Sequence, residues 1–523
     1  MSGYAMMRAG HALSWPAERF PDKIAITFEG RHLTFREVDE RVNRLANGLL
    51  GLGLKRGDRI AALQDNSPQA IEVRFALMKA GLCMVALNVR QAPEEQAHII
   101  QHSESRCLIL DADYLSVWLY IKTQCPTVQH VIIAGEEALA NNLHAYEKVI
   151  DASPSDAPEV MVSPDDLERI AYTSGTTGRP KGIMKTIAND LARLRLDFMN
   201  EDRLTTADDV MLNVAPLTHA ARVFFRKHYL KGARNIILRR FSEQTVLDTI
   251  QRERVTTTML VPTMLIRLTQ YPQVKNYDVS SLQRVFFGTA PIPADKWQQA
   301  IQLFGNVFRQ NYGMSEATQP VLSLTPADLA SLAEEKRRRR LAAAGRPALG
   351  IEVRLVDEQG HDVSQGQEGE LIIRSATVMQ GYWNDPQATR AAIDAQGWLH
   401  TGDVAQQDDE GFFYIVGRQK EMIISGGFNI YPREVEQVIE SHQGVQEVAV
   451  IGIPDDIWGE TVKALVVPKP GSTITEADIL ALCQQHIASY KKPRSVDIVD
   501  RLPKNFQGKI IKRLLRERII NAH

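Results

Sequence analysis

The sequence predicts an α/β protein with a large N-terminal domain of doubly wound sheets, a β-rich subdomain and a small α+β C-terminal domain. Between residues 33 and 88, helical patterns alternate with short apolar runs that are typical of buried strands. From residue 351 to 375 the apolar period falls to two around a turn at 357–360, which indicates antiparallel β-structure. After Lys420, glycine-rich turns, strand patterns and a helix opened by Pro432 indicate a separate α+β domain.

Local signals set the order of elements in the large domain. Thr34 and Glu37 form a capping-box pattern ahead of apolar residues at helical spacing, which predicts a helix beginning near residue 35. Apolar runs between such helices predict strands at residues 59–63, 84–87, 107–111, 130–134, 210–214, 235–238, 257–261 and 284–287. Because ligands of doubly wound sheets bind at the carboxyl ends of strands, residues that follow these runs are candidates for a site.

Composition excludes several classes of protein. A chain of 523 residues is too long to fold around a single hydrophobic core. Its content of 44% hydrophobic and 24% charged residues is typical of globular proteins. A net charge of −2 attracts neither nucleic acid nor an anionic membrane. We expect no signal peptide and no membrane span, because no apolar run approaches about 18 residues. Four scattered cysteines, Cys83, Cys107, Cys125 and Cys483, are expected to be reduced packing thiols, so a cytoplasmic location is predicted.

The stretch that follows residues 170–171 reads YTSGTTGRPKG, from Tyr172 to Gly182. Its glycines let backbone N–H groups converge on an anion, its hydroxyls donate hydrogen bonds and Lys181 adds a positive charge. An ordinary exposed turn needs neither three glycines nor a lysine. The P-loop of nucleotide triphosphatases is excluded by Pro180 and Gly182. The predicted phosphate-binding residues are Thr173, Ser174, Gly175, Thr176, Thr177, Gly178 and Lys181.

Two further strand ends carry residues suited to a nucleotide. The first offers small residues that leave room for a flat ring, and the second brings an aromatic ring, a hydroxyl and a carboxylate. Each alone is typical of an ordinary turn, but at the edge of the phosphate loop they predict an ATP site, where a carboxylate suits a hard cation. The candidates are Gly288, Thr289, Ala290 and Pro291, then Asn311, Tyr312, Gly313, Met314, Ser315 and Glu316.

The loop at 172–182 is similar to the signature of the adenylate-forming superfamily, which includes acyl- and aryl-CoA synthetases, adenylation domains of peptide synthetases and firefly luciferase. The resemblance extends from about residue 20 to residue 515. It implies that the segments at 288–291 and 311–315 hold adenine and that Glu316 helps to bind Mg²⁺. It also implies that Asp403 and Arg418 bind the ribose hydroxyls, as a carboxylate and a guanidinium can.

The same resemblance implies a division of labour between two domains. Lys420 matches the family's hinge, which gives an AMP-binding domain over residues 1–419 and a mobile domain over 420–523. Lys509 matches the catalytic lysine of the last motif. His219 matches a position where acyl pocket and thiol tunnel meet, with a structural histidine as the alternative. The residues implied for coenzyme A are Gly426, Gly427, Trp458, Lys492 and Arg494.

The predicted function is therefore that of an ATP-dependent acid–thiol ligase that forms an acyl adenylate and passes the acyl group to CoA. Its substrate is a carboxylic acid, fatty or related, and ATP, Mg²⁺ and CoA are the expected small molecules; a homodimer is compatible with this reading. Delivery to a carrier-protein pantetheine is one alternative, and an inactive acyl-adenylate binding protein is another. The presence of both Glu316 and Lys509 argues against the inactive protein.

One region departs from the family pattern. Ile187 replaces a histidine common after the phosphate loop, and Arg222, Arg226 and Lys227 follow His219 on a predicted helix. One hypothesis is that one of these cations binds a second carboxylate of the substrate; the favoured interpretation is that they face solvent. The acid itself stays open. The basic stretch at 333–340 is interpreted as a solvated helix face.

Overall fold

The computed structural model describes residues 6–135, 143–173, 180–218, 221–318, 320–425, 428–455, 458–505 and 508–520. Contacts between residues divide the chain into two compact units. The first comprises residues 1–337, 347–351 and 374–397, and the second comprises residues 338–346, 352–373 and 398–523. The functional boundary expected at Lys420 falls inside the second unit and stays a prediction.

The α-helices, in chain order, are α1 (Trp15–Arg19), α2 (Phe35–Gly51), α3 (Pro68–Ala80), α4 (Pro93–His102), α5 (Leu115–Ile121), α6 (Tyr146–Asp151), α7 (Ile187–Met199), α8 (Ala221–Leu230), α9 (Glu243–Glu253), α10 (Pro262–Gln270), α11 (Ala294–Phe304), α12 (Pro326–Leu329), α13 (Glu334–Arg340), α14 (Pro386–Ala392), α15 (Pro432–Glu440), α16 (Glu476–His486) and α17 (Lys512–Ile520).

The first strands are β1 (Met7–Arg8), β2 (Ile24–Phe28), β3 (Arg31–Thr34), β4 (Arg59–Leu63), β5 (Cys83–Ala86), β6 (Cys107–Asp111), β7 (His130–Ala134), β8 (Leu143–Ala145), β9 (Met161–Val162), β10 (Leu167–Thr173), β11 (Lys181–Thr186), β12 (Val210–Asn213), β13 (Arg234–Ile237), β14 (Thr257–Leu260), β15 (Arg284–Gly288), β16 (Phe308–Tyr312) and β17 (Leu322–Leu324). The remaining strands are β18 (Arg346–Pro347), β19 (Glu352–Val356), β20 (Glu368–Arg374), β21 (Gly381–Tyr382), β22 (Leu399–Gln407), β23 (Phe413–Arg418), β24 (Ile423–Ser425), β25 (Phe428–Ile430), β26 (Val445–Asp455), β27 (Gly459–Pro468) and β28 (Ser495–Ile498).

The first unit contains two sheets whose central strands are parallel, as the alternation of helices and strands predicts. One sheet runs in the order β21-β11-β10-β5-β4-β6-β7-β8. The other includes the path β17-β16-β15-β14-β12-β13-β2-β3. Every apolar run singled out in the sequence is a strand of one of these sheets. The doubly wound α/β prediction is therefore confirmed.

The helix α2 shows why the local signals succeed. Thr34 Oγ1 accepts from the backbone N–H of Glu37 at 3.2 Å, and the Glu37 carboxylate accepts from the N–H of Thr34 at 2.7 Å. The predicted capping box is present, and it satisfies donors that the first helical turn leaves without partners. The apolar face of α2, with Val38 and Leu45 fully buried, packs in the main core of the unit.

The second unit contains the predicted antiparallel subdomain and the α+β part. The order β19-β20-β22-β23 forms an antiparallel sheet around the predicted turn, where Gly360 N–H donates to Asp357 O at 3.0 Å. The order β25-β24-β27-β26, with β28 beside β27, forms the sheet of the α+β part. The helix α15 packs on this sheet and begins at Pro432, as predicted.

Three remaining expectations have clear outcomes. The four cysteines are free and buried. Most of the helix α13 is exposed, but Arg340 is buried, pairs with Glu410 and lies 3.4 Å from the ring centroid of Phe412. The solvated-face interpretation is therefore wrong for Arg340 alone, because an aromatic ring and a carboxylate lie beside it. Within the described chain, no helix is long and apolar enough to cross a bilayer.

Candidate active site

The predicted phosphate loop connects two antiparallel strands of the first unit. Strands β10 and β11 pair so that Thr173 lies opposite Lys181, which fixes the two ends of the loop side by side. Ser174, Gly175, Thr176, Thr177 and Gly178 lie outside the described residues. The hairpin therefore positions Lys181 at the point where the loop returns to the sheet.

Lys181 and Glu316 are brought to one place by a third residue, Tyr382. Strand β21 pairs with β11 so that Tyr382 lies opposite Ile183. The Lys181 ammonium lies 4.9 Å from the centroid of the Tyr382 ring, and the Tyr382 hydroxyl donates to Glu316 Oε1 at 3.1 Å. Burial, together with the charge of Glu316, raises the pKa of the Tyr382 phenol, which keeps it protonated as a donor.

Lys185 holds the backbone that carries Glu316. It is 1% exposed, and its ammonium donates to the carbonyl oxygens of Glu316 at 2.8 Å and Thr377 at 2.7 Å. The Met379 N–H also donates to the Glu316 carbonyl, at 2.7 Å. Burial, followed by the charge of Arg169, lowers the pKa of Lys185. The backbone of Glu316 is thus held by β11 on one side and by residues 377–379 on the other.

The two segments predicted to hold adenine lie on neighbouring parallel strands. Strands β15 and β16 pair with Gly288 opposite Asn311, so the segments that follow both residues leave the sheet at the same edge. Thr289 has φ 72°, a left-handed conformation that non-glycine residues adopt at a cost of about 1 kcal/mol. Thr289, Ala290 and Pro291 are exposed, and Tyr312, Gly313 and Met314 are partly buried.

Three side chains of the second segment differ in how far they are buried. The Asn311 side chain is buried, and its Oδ1 accepts from the Ser323 hydroxyl at 2.8 Å. Ser315 is exposed, and Glu316 is partly buried. Asn311 therefore fixes the end of β16, while the residues after it are accessible.

In the second unit, Asp403 and Arg418 are brought together as predicted. They lie opposite each other on β22 and β23, and Arg418 Nε donates to Asp403 Oδ1 at 3.0 Å. The Asp403 side chain is 7% exposed, and that of Arg418 is 50% exposed. Glu370, which the sequence did not single out, accepts from the Gly402 N–H at 3.0 Å and from His400 Nδ1 at 2.8 Å. This hydrogen bonding fixes the backbone turn just before Asp403.

The predicted catalytic lysine lies on a short turn. The backbone N–H of Lys509 donates to Asn505 Oδ1 at 2.9 Å, and the Asn505 N–H donates to the Lys509 carbonyl at 2.8 Å. Gly508 has φ 80°, which glycine adopts without strain. Lys509 is exposed, as is Lys420, which lies in the 3₁₀ turn Gln419–Glu421.

Of the residues implied for coenzyme A, Trp458 and Arg494 are in contact. The Arg494 guanidinium lies 4.8 Å from the centroid of the Trp458 ring, which is 41% exposed. Lys492 is partly buried nearby in the sequence, and Gly426 and Gly427 lie outside the described residues. The sequence did not assign a role to Phe428 and Tyr490. Their half-exposed rings stack with centroids 4.6 Å apart. Their shared signal is an aromatic residue beside a predicted CoA residue.

The interpretation that the cations of α8 face solvent is wrong. Arg226 and Lys227 are each 3% exposed. Arg226 pairs with Asp190 of α7, and Lys227 Nζ lies 2.6 Å from Glu201 Oε1. Burial favours the neutral form of a cation, but a buried carboxylate compensates for each of these two. Arg222 is partly buried and lies at the start of α8, and His219 lies outside the described residues.

Comparison with known proteins identifies the family. The model of the AMP-binding enzyme matches residues 13–383, and the model of the AMP-binding enzyme C-terminal domain matches residues 434–509. The chain belongs to the AMP-binding enzyme family. The predicted resemblance to adenylate-forming enzymes is therefore confirmed, and it extends over both parts of the chain.

Relatives of known name agree with the predicted class of reaction. Feruloyl-CoA synthase from an Amycolatopsis species is 39% identical over 510 residues, which cover 97% of this chain and 98% of that protein. Medium/long-chain-fatty-acid–CoA ligase FadD8 of Mycobacterium tuberculosis is 34% identical, with 97% and 90% covered. The anthranilate CoA ligase AuaEII, solved in complex with anthranoyl-AMP, superposes with a TM-score of 0.88 at 27% identity, with 99% and 98% covered.

Sequence reasoning also missed Tyr382 and Lys185, which lie at the candidate site. Tyr382 follows Gly381 after an irregular stretch, and nothing local links it to Lys181. Lys185 carried a weak signal, since strand alternation puts it on the same face as the buried Ile183. A lysine at a buried strand position requires acceptors, and here two backbone carbonyls supply them.

Proposed function

We propose that this protein is an ATP-dependent acid–thiol ligase, which converts a carboxylic acid into an acyl adenylate and then into an acyl-CoA thioester. The observation that supports it most is the grouping of Lys181, Tyr382 and Glu316 beside the phosphate loop. A cation and a carboxylate that are close together without pairing suit a polyphosphate and its divalent cation. The family and its relatives support the same chemistry.

In the first half-reaction a substrate carboxylate oxygen bonds to the α-phosphorus of ATP, and the bond from that phosphorus to the bridging oxygen breaks as pyrophosphate leaves. Negative groups approach each other, so the protein must supply positive charge. We assign Lys181 and the backbone N–H groups of the loop to the phosphates. Lys509 is assigned to the reacting oxygens, where removing one such group typically lowers the rate by about 10²–10³.

The residues present fit a magnesium ion. Within the described residues, no group of three or more His, Cys, Asp and Glu side chains could hold a metal by itself. Mg²⁺ suits a site with one protein carboxylate, since it keeps several waters and binds substrate phosphates. Glu316 would supply that carboxylate, and the bound ion would neutralise charge on the phosphates. Lys185 fixes the backbone from which Glu316 reaches it.

We assign Asp403 and Arg418 to the ribose of ATP. A carboxylate accepts from two adjacent hydroxyls, and a guanidinium beside it can donate hydrogen bonds. The half-exposed side chain of Arg418 and the hydrogen bond from Arg418 Nε to Asp403 Oδ1 are compatible with this role. The residues at 288–291 and 311–315 are assigned to adenine.

In the second half-reaction the CoA thiol releases its proton and its sulfur bonds to the acyl carbon, the bond from that carbon to the adenylate oxygen breaks, and AMP leaves. We propose that Lys420 is the hinge that exchanges Lys509 for the CoA-binding residues between the two steps. Trp458, Arg494 and Lys492 are assigned to CoA, with Gly426 and Gly427 facing its pantetheine arm. His219 is assigned to the junction of acid and thiol.

Location and assembly are also proposals. Four buried free thiols suit a reducing compartment, so we propose that the protein acts in the cytoplasm. Light scattering of the purified protein tests the homodimer, and a molar mass of one chain would contradict it.

The direct test is pyrophosphate release across a panel of acids, with and without CoA. The panel includes ferulic acid, medium-chain fatty acids and dicarboxylic acids. We expect release with at least one acid, and a thioester only when CoA is added. No release with any acid would overturn the proposal and favour a binding protein; release without thioester formation would favour another acceptor, such as a carrier-protein pantetheine.

The Lys509→Ala variant tests the division between the half-reactions. We expect adenylate formation to fall by about 10²–10³, while a supplied acyl adenylate is still converted to thioester. Lys504→Ala, on the same turn, is the matched control and should retain both steps. An equal loss of both half-reactions in Lys509→Ala would contradict the assignment of Lys509 to adenylation.

A further inference from the structure

Tyr382 contacts two oppositely charged residues, Lys181 and Glu316. Its ring faces the Lys181 ammonium at 4.9 Å, and its hydroxyl donates to the Glu316 carboxylate at 3.1 Å. Within the described chain, Lys181 and Glu316 form no ion pair, either with each other or with another side chain. Each of the two charged groups therefore contacts the tyrosine, and neither forms an ion pair among the described residues.

The backbone of Tyr382 is fixed on several sides. Its N–H donates to Thr389 Oγ1 at 2.9 Å, and the N–H of Trp383 donates to the Gly182 carbonyl at 2.7 Å. Gly381 has φ 151°, and a Cβ there would lie 2.7 Å from Thr389 Cγ2, so only glycine fits. The same strand pairs with β11, which begins at Lys181. The backbone of Tyr382 is thus fixed beside the two charged side chains.

We propose that Tyr382 is a positioning residue that keeps Lys181 and Glu316 apart and orients both toward the metal-bound phosphates of ATP. The inference rests on the proposed function. Lys181 and Glu316 would neutralise each other if they paired, and ATP would then have to separate them before binding. The ring face attracts the ammonium without neutralising it. The hydroxyl fixes one carboxylate oxygen and leaves the carboxylate negative.

The two parts of the tyrosine have separable effects. In Tyr382→Phe the ring remains beside Lys181 and only the bond to Glu316 is lost. In Tyr382→Leu both contacts are lost, and Lys181 and Glu316 can pair. The phenylalanine variant should therefore weaken only binding that depends on Mg²⁺, whereas the leucine variant should also weaken binding of the free nucleotide.

The experiment is calorimetric titration of ATP into the full chain, once with Mg²⁺ and once with EDTA. For Tyr382→Phe we expect the dissociation constant to rise about tenfold with Mg²⁺, as for loss of a hydrogen bond to a charged group, and less than about twofold with EDTA. For Tyr382→Leu we expect a rise in both conditions. In a Glu316→Ala background, Tyr382→Phe should have no further effect, because the hydroxyl then has no carboxylate to orient.

A matched control is Tyr146→Phe. Tyr146 is buried on α6, and its hydroxyl donates to Glu72 at 2.8 Å, so the same kind of bond is lost at a place with no assigned role. This variant should keep wild-type ATP affinity in both conditions. Thermal unfolding of every variant checks that it is folded, and the Phe and Leu variants provide two independent readings.

Three outcomes would overturn the inference while leaving the proposed function intact. The first is wild-type affinity in Tyr382→Phe under both conditions. The second is an equal loss for Tyr382→Phe with Mg²⁺ and with EDTA, and the third is an undiminished loss in the Glu316→Ala background, since either would mean that Tyr382 does not act through Glu316. If the wild-type protein itself binds no ATP, the proposed function fails and the inference fails with it.

Discussion

Two groups of charged side chains in the first unit use opposite arrangements. Beside the predicted phosphate loop, Lys181 and Glu316 each contact Tyr382 and are partly accessible. Between α7 and α8, by contrast, Arg226 pairs with Asp190 in the interior. The charges of the first group are accessible to a ligand. The charges of the second group form an ion pair inside the protein.

Burial explains the second arrangement. Burial alone would raise the pKa of the Asp190 carboxyl, but Arg226 and Arg74 lie beside it and hold its pKa below the usual range. The Arg74 guanidinium also lies 2.6 Å from the Glu168 carboxylate. These charges satisfy one another, so they offer little to a substrate. This comparison weakens the hypothesis that Arg226 or Lys227 binds a second carboxylate and leaves Arg222 as its remaining candidate.

The largest effect is expected when the buried ion pair between Asp190 and Arg226 is broken. Asp190→Asn leaves Arg226 buried without its counter-charge, and we expect the free energy of unfolding to fall by about 3–5 kcal/mol. Glu243→Gln, which breaks an exposed pair with Arg267 at 2.6 Å, is the control and should cost less than about 1 kcal/mol. Urea unfolding measures both values.

A double variant tests whether the lost stability comes from an uncompensated charge or from lost packing. Asp190→Leu combined with Arg226→Met replaces both partners by apolar side chains and should recover part of the lost stability. Equal losses for the double and the single variant would show that packing, and not the uncompensated charge, controls stability at this place.

The next largest effect is expected on adenylate formation when Lys181 is replaced. Lys181→Met removes the ammonium beside Tyr382 but keeps a long apolar stem. We expect adenylate formation to fall by about 100-fold, with a change in unfolding free energy of less than about 0.5 kcal/mol, because no ion pair is broken. Pyrophosphate exchange and urea unfolding measure the two quantities. A large loss of stability with little loss of adenylation would reverse the contrast drawn between the groups.

Sequence patterns predicted the parts of this contrast that are local along the chain. Strand ends follow from apolar runs and turn residues, so the positions of Lys181, Gly288 and Asn311 at sheet edges could be predicted. The pairing of Asp403 with Arg418 came from the family's motifs, and their register on β22 and β23 agrees with it. The roles of these residues remain predictions.

The missed contacts join distant parts of the chain. Tyr382 and Glu316 are 66 residues apart, and Lys185 and Thr377 are 192 apart. The partners of Arg226 and Lys227 lie 36 and 26 residues away, on an adjacent helix and the loop after it. The charges of α8 alone suggest an exposed helix face. Only the fold shows that buried carboxylates lie beside Arg226 and Lys227.

The smallest expected effect is a pH dependence of the unfolding free energy. It comes from His228, a histidine that follows the buried cations of α8. His228 of α8 is fully buried; its Nδ1 lies 2.7 Å from the Phe224 carbonyl, and its Nε2 has no hydrogen-bond partner among the described residues. Burial, followed by the charge of Arg284, lowers the pKa of His228 to about 3. The neutral ring with its proton on Nδ1 satisfies this site, whereas a second proton on Nε2 would lack an acceptor.

Because the pKa of His228 is lower in the folded protein than in the unfolded chain, protonation favours unfolding. Its contribution to stability is complete above about pH 6.5 and is lost as the pH falls toward 3, by up to about 1.4 kcal/mol per pH unit. His228→Gln keeps a donor near the Phe224 carbonyl but does not titrate, so its unfolding free energy should fall less steeply between pH 6 and 4. Urea unfolding at several pH values measures the slopes, and a shallower slope for His228→Gln than for the wild type is the expected result. Parallel slopes for His228→Gln and the wild type would mean that His228 is already charged in the folded protein, and that the interior group tolerates a cation without a partner.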